Sequence, residues 1–268
     1  MRPPTIASAA LAALMLSGPA AVPASPSAPI SPSAPVRVIL VGDSTMASNS
    51  GYGDAFCARF TPQVSCINLA RGGRSSKSFR AEGRWDEVQR LLKDGSAATT
   101  YVLVQFGHND QPGKAPRSTD LVTEFPANMA RYAQETRALG GVPVLVTPLT
   151  RRSFKGDWLR DDLAPWAAAT RKVAQQEHAV LLDLNADSAS AVQAVGQQEA
   201  DTLAMAPPPA VAAPSDPNKV EVAGAAKSAF DRTHLGRKGA DLFARMVERE
   251  LVQALPETRN LFADGGKP

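Results

Sequence analysis

A serine and a histidine near opposite ends of the chain have the side-chain types of a nucleophile and its base. Ser44 follows the apolar run Val38–Val41 and a Gly-Asp pair, where a buried strand turns into a loop. Asp231 and His234 are three residues apart, so both side chains can face the same direction. An imidazole activates a serine hydroxyl, and a carboxylate orients the imidazole. Helix capping is the alternative for Ser44 and for Asp231.

Two further polar segments follow strand-like runs and could stabilise an oxyanion. Asn109 lies in the sequence Gly-His-Asn-Asp at residues 107–110 and carries a neutral amide donor. Gly72 and Gly73 follow another run and permit close approach of a backbone N–H group. A polar turn is the alternative for the first segment. The second segment lacks the spacing of a phosphate-binding loop, so that class of site is not predicted.

Strand-like and helix-like segments alternate along the chain. Apolar runs predict five strands, at Arg37–Gly42, Val64–Leu69, Tyr101–Phe106, Val142–Thr147 and Ala179–Leu184. Helical patterns predict five helices, at Asp54–Phe60, Ala81–Lys93, Leu121–Leu139, Asp161–Glu177 and Arg237–Leu255. This alternation predicts a three-layer α/β/α sandwich around a central, mostly parallel five-stranded sheet. The polar segments would then meet at the carboxyl edge of the sheet.

The chain divides into a leader, a linker and one catalytic domain. Residues 1–24 combine a basic start, an apolar stretch and small residues, which is typical of a secretory signal peptide. Residues 25–36 repeat a Ser-Pro-Ser-Ala-Pro unit and predict a proline-stiffened linker. Residues 37–268 are the predicted catalytic domain, in which residues 186–229 form a low-complexity insertion. We expect a secreted or periplasmic protein without a stable membrane anchor, because the apolar stretch is shorter than the roughly 18 residues of a span.

The composition excludes nucleic acid as a partner and indicates an oxidising compartment. The chain has 29 basic and 26 acidic residues, a net charge of +3, and no clustered basic stripe. Cys57 and Cys66 are the only cysteines, and export favours a disulfide between them; two buried thiols are the alternative. No metal site is predicted, because the candidate ligands are few and match no familiar spacing: His108, Asp110 and His234.

The polar segments together resemble the four sequence blocks of the SGNH (GDSL-like) hydrolases. These blocks are Gly42-Asp43-Ser44, Asn68-x-Ala70-x-x-Gly73-x-Ser75, Gly107-His108-Asn109-Asp110 and Asp231-x-x-His234. Within that superfamily the chain is most similar to the rhamnogalacturonan acetylesterases, through residues 42–47, 73–79, 82–85, 106–111 and 147–154. The resemblance implies that Ser44 is the nucleophile, His234 the base and Asp231 its partner. It also implies an oxyanion hole of the Ser44 and Gly73 N–H groups and the Asn109 side chain, with no metal or organic cofactor.

The resemblance also implies a substrate and its contacts. A secreted serine carbohydrate esterase would remove acetyl groups from a plant cell-wall polysaccharide, with acetylated rhamnogalacturonan in pectin as the first choice. Guanidinium groups pair well with uronate carboxylates. The predicted substrate-binding residues are Arg74, Arg84, Trp85, His108, Arg151 and Arg152. Tyr52 is a further candidate for stacking on sugar rings, and core packing is the alternative for both aromatic residues.

Other functions are consistent with the same four blocks. The substrate could be acetylated xylan or another glycan, or the enzyme could be a GDSL lipase or thioesterase. A catalytically silent carbohydrate-binding protein is the alternative from a different class.

Overall fold

The structure is a computed structural model that describes Met1 and residues 35–208 and 230–265. The predicted signal peptide and nearly all of the predicted linker lie outside the described residues, as does the latter part of the predicted insertion. Within the described ranges, no helix has the length and apolar character needed to cross a membrane.

Five parallel strands form the central sheet, in the order β2-β1-β3-β4-β7. Their bounds are β1 Val36–Gly42, β2 Val64–Asn68, β3 Thr99–Gln105, β4 Val142–Val146 and β7 Val180–Leu182. The strand order reverses at β1 and β3, the switch point where open α/β sheets place their ligands. The predicted parallel sheet is confirmed, and every strand lies within two residues of its predicted bounds.

The central strands β1, β3 and β4 are largely apolar because helices cover both faces of the sheet, whereas Ser65 of β2 is exposed. Side chains alternate between the faces, so Val38 and Leu40 pack into one hydrophobic cluster while Ile39 and Val41 pack into the other. Three helices cover the first face: α1 Gly53–Cys57, α6 Leu184–Asp201 and α7 Arg237–Ala254, which a 3₁₀ helix at Pro256–Leu261 follows. Four cover the second: α2 Ser78–Ala81, α3 Arg84–Lys93, α4 Glu124–Ala138 and α5 Ala164–Gln176. The predicted three-layer sandwich is confirmed.

Helix α6 begins two residues before the predicted low-complexity insertion and occupies its first part. The prediction of an insertion over residues 186–229 is therefore wrong for its first part, which is helical as far as Asp201 with a kink at Gly196. The helix buries Leu184 and Val192, but most of its other positions are Ala, Ser, Gln or acidic residues. Its apolar stripe is consequently too narrow to produce the periodicity that marks a helix in a sequence.

Two local features also differ from the sequence predictions. The single helix predicted at Ala81–Lys93 is divided into α2 and α3 by Gly83, which has a left-handed φ of 71°. A hairpin of β5 Phe154–Lys155 and β6 Trp158–Leu159 follows β4 and was not predicted. The predicted disulfide is confirmed, because Cys57 at the end of α1 is bonded to Cys66 on β2.

Glu250 on α7 is a buried acid whose titration should control the stability of the fold. Its side chain is 7% exposed, and neither carboxyl oxygen has a hydrogen-bond partner among the described residues. Burial raises the pKa of Glu250 from 4.5 to about 8, with a further contribution from the neighbouring carboxylates of Asp187 and Asp183. Between these two pH values the folded protein keeps a proton that the unfolded chain releases. The free energy of unfolding therefore falls as the pH rises through this window.

We expect Glu250→Gln to remove this pH dependence, since a glutamine of similar shape carries no charge. At pH 8 the variant should be more stable than the wild type by on the order of 2–4 kcal/mol, and near pH 4.5 the two should be equal. Urea unfolding between pH 4.5 and 9 measures the difference. Glu87→Gln on the exposed face of α3 is the matched control and should follow the wild-type curve. Parallel pH dependence in Glu250→Gln and the wild type would contradict the prediction.

Candidate active site

Ser44, His234 and Asp231 form one hydrogen-bonded chain at the carboxyl edge of the sheet. Ser44 follows β1, and His234 precedes α7; the two are brought together so that His234 Nε2 lies 2.8 Å from Ser44 Oγ. The other ring nitrogen, Nδ1, lies 2.8 Å from Asp231 Oδ2. The second carboxylate oxygen, Oδ1, accepts the backbone N–H groups of Thr233 and His234 at 2.8 and 2.7 Å. The carboxylate thus holds both the ring and the backbone that carries it.

These contacts keep Asp231 ionised. Partial burial acts to raise the pKa of Asp231, but hydrogen bonds from the His234 ring and from two backbone N–H groups outweigh it, so the pKa lies below its usual value. An ionised acceptor at Nδ1 favours the tautomer whose Nε2 is free to take a proton from Ser44. The arrangement can therefore carry out nucleophilic acyl transfer.

A buried polar network beneath Ser44 fixes the turn after β1. Asp43 Oδ1 accepts the backbone N–H and the hydroxyl of Thr45 at 2.9 and 2.8 Å. Gln105 at the end of β3 donates to the same Thr45 hydroxyl at 2.7 Å and accepts the Tyr52 hydroxyl at 2.7 Å. Asp43 Oδ2 lies 3.3 Å from His108 Nδ1. Burial acts to raise the pKa of Asp43, but His108 and the Thr45 hydrogen bonds bring it below its usual value.

The two predicted oxyanion segments lie beside this turn. Gly72 lies close to Ser44: a Cβ atom added to this glycine would be 3.6 Å from Ser44 Cβ. Gly73 has a left-handed φ of 80°, which glycine adopts without strain. Asn109 is 8% exposed, and its Nδ2 group donates to the carbonyl oxygen of Arg74 at 3.1 Å. Nδ2 carries two hydrogens, so one remains for an oxyanion. The assignment of Gly73 and Asn109 as donors stays a prediction.

Arg152 does not contact substrate as predicted, because its side chain is fully buried. Its guanidinium donates to the carbonyl oxygens of Asp231, Thr233 and His234, at 3.1, 3.3 and 2.7 Å. Burial lowers the pKa of Arg152 to about 10, with Asp231 among the carboxylates that oppose the shift, so it stays charged at neutral pH. Arg152 therefore holds the segment that carries the imidazole.

We expect Arg152→Met to lower kcat/KM by about 10- to 100-fold, because a displacement of the imidazole by about 1 Å has a cost of this size. Three carbonyl oxygens would also lose their donor and the buried guanidinium would be gone, which should lower the free energy of unfolding by about 2–4 kcal/mol. Ester hydrolysis and urea unfolding measure the two effects. Arg160→Met, at an exposed position of the same connection, is the control. Unchanged kinetics and stability in Arg152→Met would show that the contacts are unimportant.

Burial also corrects the prediction for two other residues. Trp85 is 2% exposed, packs edge-on against Tyr132 and donates its indole N–H to Glu135. His108 is 2% exposed and faces Asp43. Neither side chain can contact a polysaccharide from these positions. Tyr52 is fully buried as well, so the stacking role considered for it is excluded.

The remaining predicted arginines are partly exposed and already have carboxylate partners. Arg74 and Arg84 both bind Glu82, at 2.9 and 2.7 Å. Arg151 binds Asp162 and also contacts the Thr233 hydroxyl at 3.3 Å, beside the catalytic histidine candidate. The position of Arg151 allows it to contact a substrate, and this contact stays a prediction.

Three residues near this edge have no signal in the sequence that would single them out. Lys114 and Arg117 lie in the connection after β3; Lys114 Nζ donates to the His108 carbonyl at 2.6 Å, and Arg117 contacts Gly73 and Asn109. Trp158 on the β5–β6 hairpin is 75% exposed. Only their tertiary contacts and exposure mark these three residues as candidates for a role in the site, and a local sequence pattern records neither.

The chain is similar to proteins of known family over most of its length. Residues 40–242 match the GDSL-like Lipase/Acylhydrolase family. The chain belongs to this family. The predicted membership of the SGNH (GDSL-like) hydrolases and the prediction of a carboxylic ester hydrolase are thereby confirmed.

The acylhydrolase is 31% identical to rhamnogalacturonan acetylesterase RhgT of Bacillus subtilis, over 87% of this chain and 97% of the relative. It is 26% identical to the probable rhamnogalacturonan acetylesterase YesY of the same organism, over 85% and 98%.

Solved structures share the fold of this acylhydrolase. The YxiM protein of Bacillus subtilis matches with a TM-score of 0.63 and 24% identity over 81% of this chain. The acylhydrolase spans 56% of that longer chain. Axe2, an acetylxylan esterase from Geobacillus stearothermophilus, matches with a TM-score of 0.55 and 18% identity, over 80% of this chain and 93% of its own.

Proposed function

We propose that this acylhydrolase is an exported carbohydrate acetylesterase that deacetylates a pectic polysaccharide, with acetylated rhamnogalacturonan as its substrate. The observation that carries the proposal is the hydrogen-bonded chain from Ser44 through His234 to Asp231. The similarity to one rhamnogalacturonan acetylesterase and one probable one, over 87% and 85% of this chain, supports the choice of polysaccharide.

In the first step, Ser44 Oγ attacks the acetyl carbonyl carbon as its proton passes to His234 Nε2. Asp231 holds the ring and stabilises the imidazolium that forms. The carbonyl oxygen gains negative charge and accepts hydrogen bonds from the Ser44 and Gly73 N–H groups and from Asn109 Nδ2. His234 then gives its proton to the sugar oxygen as the C–O bond breaks, which leaves an acetyl-serine and a free sugar hydroxyl.

In the second step, a water molecule takes the place of the sugar. His234 accepts a proton from the water as its oxygen attacks the acetyl-serine, and the same donors bind the oxyanion again. The proton returns to Ser44 Oγ as acetate leaves. The enzyme is restored without any other reactant.

Positive charge beside the site supports an acidic polysaccharide. Burial lowers the pKa of Lys114, and the nearby charges of Arg151 and Arg117 lower it further. A uronate carboxylate at this point would reduce the repulsion among the three cations. The exposed indole of Trp158, on the hairpin in the connection after β4, offers an apolar surface for a sugar ring.

Export is supported by two independent observations. The first 24 residues have the pattern of a secretory signal peptide. The Cys57–Cys66 disulfide is typical of an oxidising compartment outside the cytosol.

Acetate release from a panel of substrates tests the proposal. The full-length protein is assayed on acetylated rhamnogalacturonan, acetylated homogalacturonan, acetylated xylan and p-nitrophenyl acetate, with Ser44→Ala as the blank. We expect the highest kcat/KM among the polymers on acetylated rhamnogalacturonan. A preference for xylan, or activity confined to p-nitrophenyl acetate, would overturn the choice of substrate while leaving the esterase chemistry in place.

We expect Lys114→Met to raise KM for the acidic polysaccharide by roughly five- to tenfold, the effect of losing one charge-assisted contact at a half-exposed position. Its kcat on p-nitrophenyl acetate, which carries no carboxylate, should be unchanged. Lys93→Met at the end of α3 is the control. An equal loss on both substrates would contradict a role in carboxylate recognition.

A further inference from the structure

Arg117 bridges the two connections that carry the predicted oxyanion donors. Its guanidinium NH1 group donates to the Gly73 carbonyl oxygen at 3.0 Å, in the connection after β2. The same group lies 3.4 Å from Asn109 Oδ1, in the connection after β3. Arg117 itself is half-buried and belongs to the second connection, eight residues beyond Asn109. One cation therefore touches both segments beside Ser44.

The contact with Asn109 determines which way its amide faces. Oδ1 accepts from Arg117, and Nδ2 donates to the Arg74 carbonyl oxygen at 3.1 Å. A half-turn of the amide would place the NH₂ group against the guanidinium and the oxygen against a carbonyl oxygen, two repulsive contacts in place of two attractive ones. The cation therefore favours the single orientation in which Nδ2 can serve as a donor.

The same contact increases the strength of that donor. A positive charge at the carbonyl end of an amide draws electron density away from its nitrogen, so the N–H groups become more positive. Asn109 is 8% exposed, and at such a site electrostatic interactions are screened less than in water. We propose that Arg117 is a positioning residue that orients and polarises the Asn109 amide for the oxyanion, an inference that rests on the proposed function of Asn109.

Arg117 is not needed to hold the two connections together. Asp110 Oδ1 accepts the Ser76 backbone N–H at 3.1 Å and the Thr119 hydroxyl at 3.1 Å, which ties the connections at their base. The Lys114 backbone N–H donates to the Ser118 hydroxyl at 2.8 Å, which closes the turn around Arg117. A variant at Arg117 should therefore keep the wild-type fold and melting temperature.

The test compares Arg117→Met and Arg117→Lys in the full-length protein, with and without Asn109→Ala. The substrate is p-nitrophenyl acetate, which has no carboxylate and so isolates the oxyanion step. We expect Arg117→Met to lower kcat by roughly 10- to 100-fold, with KM little changed, since a hydrogen bond from a charged group is lost. Arg117→Lys should recover part of the rate, because an ammonium can still reach Oδ1. In the Asn109→Ala background, Arg117→Met should have no further effect, since the two residues act as one unit.

Three results would overturn the proposal. One is an unchanged kcat in Arg117→Met. Another is an equal loss with and without the Asn109 amide. The third, measured separately on acetylated rhamnogalacturonan, is an effect confined to KM for that polysaccharide, which would make Arg117 a substrate contact. Arg90→Met, an exposed arginine paired with Glu87 on α3, controls for the loss of a surface charge. Failure of the wild-type enzyme on acetylated polysaccharides would count against the proposed substrate alone, because the effect on kcat is measured with p-nitrophenyl acetate.

Discussion

Replacing Ser44 with alanine is expected to lower kcat by roughly 10⁴- to 10⁶-fold. The substitution removes the oxygen that attacks the ester, which lies 2.8 Å from His234 Nε2. It leaves the Ser44 backbone N–H group and the neighbouring connections in place, so the residual rate reflects oxyanion binding alone. Hydrolysis of p-nitrophenyl acetate and acetate release from acetylated pectin both measure the loss.

Ser48→Ala is the matched control, because that hydroxyl is exposed and bonds only to Asp54 among the described residues. Its rate should equal that of the wild type. His234→Ala should lose activity to a similar extent as Ser44→Ala, and the double variant should be little worse, since a nucleophile without its base is nearly inert. Undiminished acetate release in either single variant would sink the mechanism.

The central strands β1, β3 and β4 were predictable because they are buried on both faces. A run such as Val38–Val41 has no polar face, so it could be recognised without any knowledge of its neighbours. The position of the site was predictable from the order of the strands. Ser44 follows β1 and Asn109 follows β3, and adjacent parallel strands bring their carboxyl ends together. Helix α6 was missed for the opposite reason, since only a few of its side chains are apolar and buried.

The roles of the arginines could not be predicted, because residue type indicates what a side chain can bind but not what surrounds it. Arg151 and Arg152 are adjacent in sequence, yet one is partly exposed and the other is enclosed by the segment from Asp231 to His234. Arg117 reaches Gly73 across 44 positions of sequence, and no local pattern records such a contact. Trp85, an expected substrate contact, is likewise unavailable, because packing on Tyr132 buries its side chain.

Two arginine side chains position the site without contacting the reacting atoms of Ser44 or the His234 ring. Arg152 donates to the His234 carbonyl oxygen, and Arg117 donates to the Gly73 carbonyl oxygen and to Asn109 Oδ1. Both guanidiniums act on backbone or amide oxygens, so they can fix geometry without competing for the reacting carbonyl. A pre-organised site of this kind needs little rearrangement as charge develops in the transition state.

Asp231→Asn is expected to lower kcat by roughly 10⁴-fold while leaving the fold intact. Asp231 Oδ1 accepts two backbone N–H groups, so in the variant the amide oxygen should take that position and the NH₂ group should face the ring. His234 Nδ1 would then have to accept a hydrogen bond, and the ring proton would move to Nε2. A protonated Nε2 donates to Ser44 and cannot remove its proton. The variant therefore loses the base without losing the imidazole.

Two measurements separate this explanation from simple disruption of the segment. Nitrogen-15 NMR of the His234 ring should report the proton on Nδ1 in the wild type and on Nε2 in Asp231→Asn. Asp241→Asn, at a half-exposed aspartate on α7 that lies 3.9 Å from Arg237, should change neither the tautomer nor the rate. A wild-type kcat in Asp231→Asn would refute the orienting role. A large loss with the wild-type tautomer would instead assign the effect to the missing charge, since the imidazolium would then lack its stabilising carboxylate.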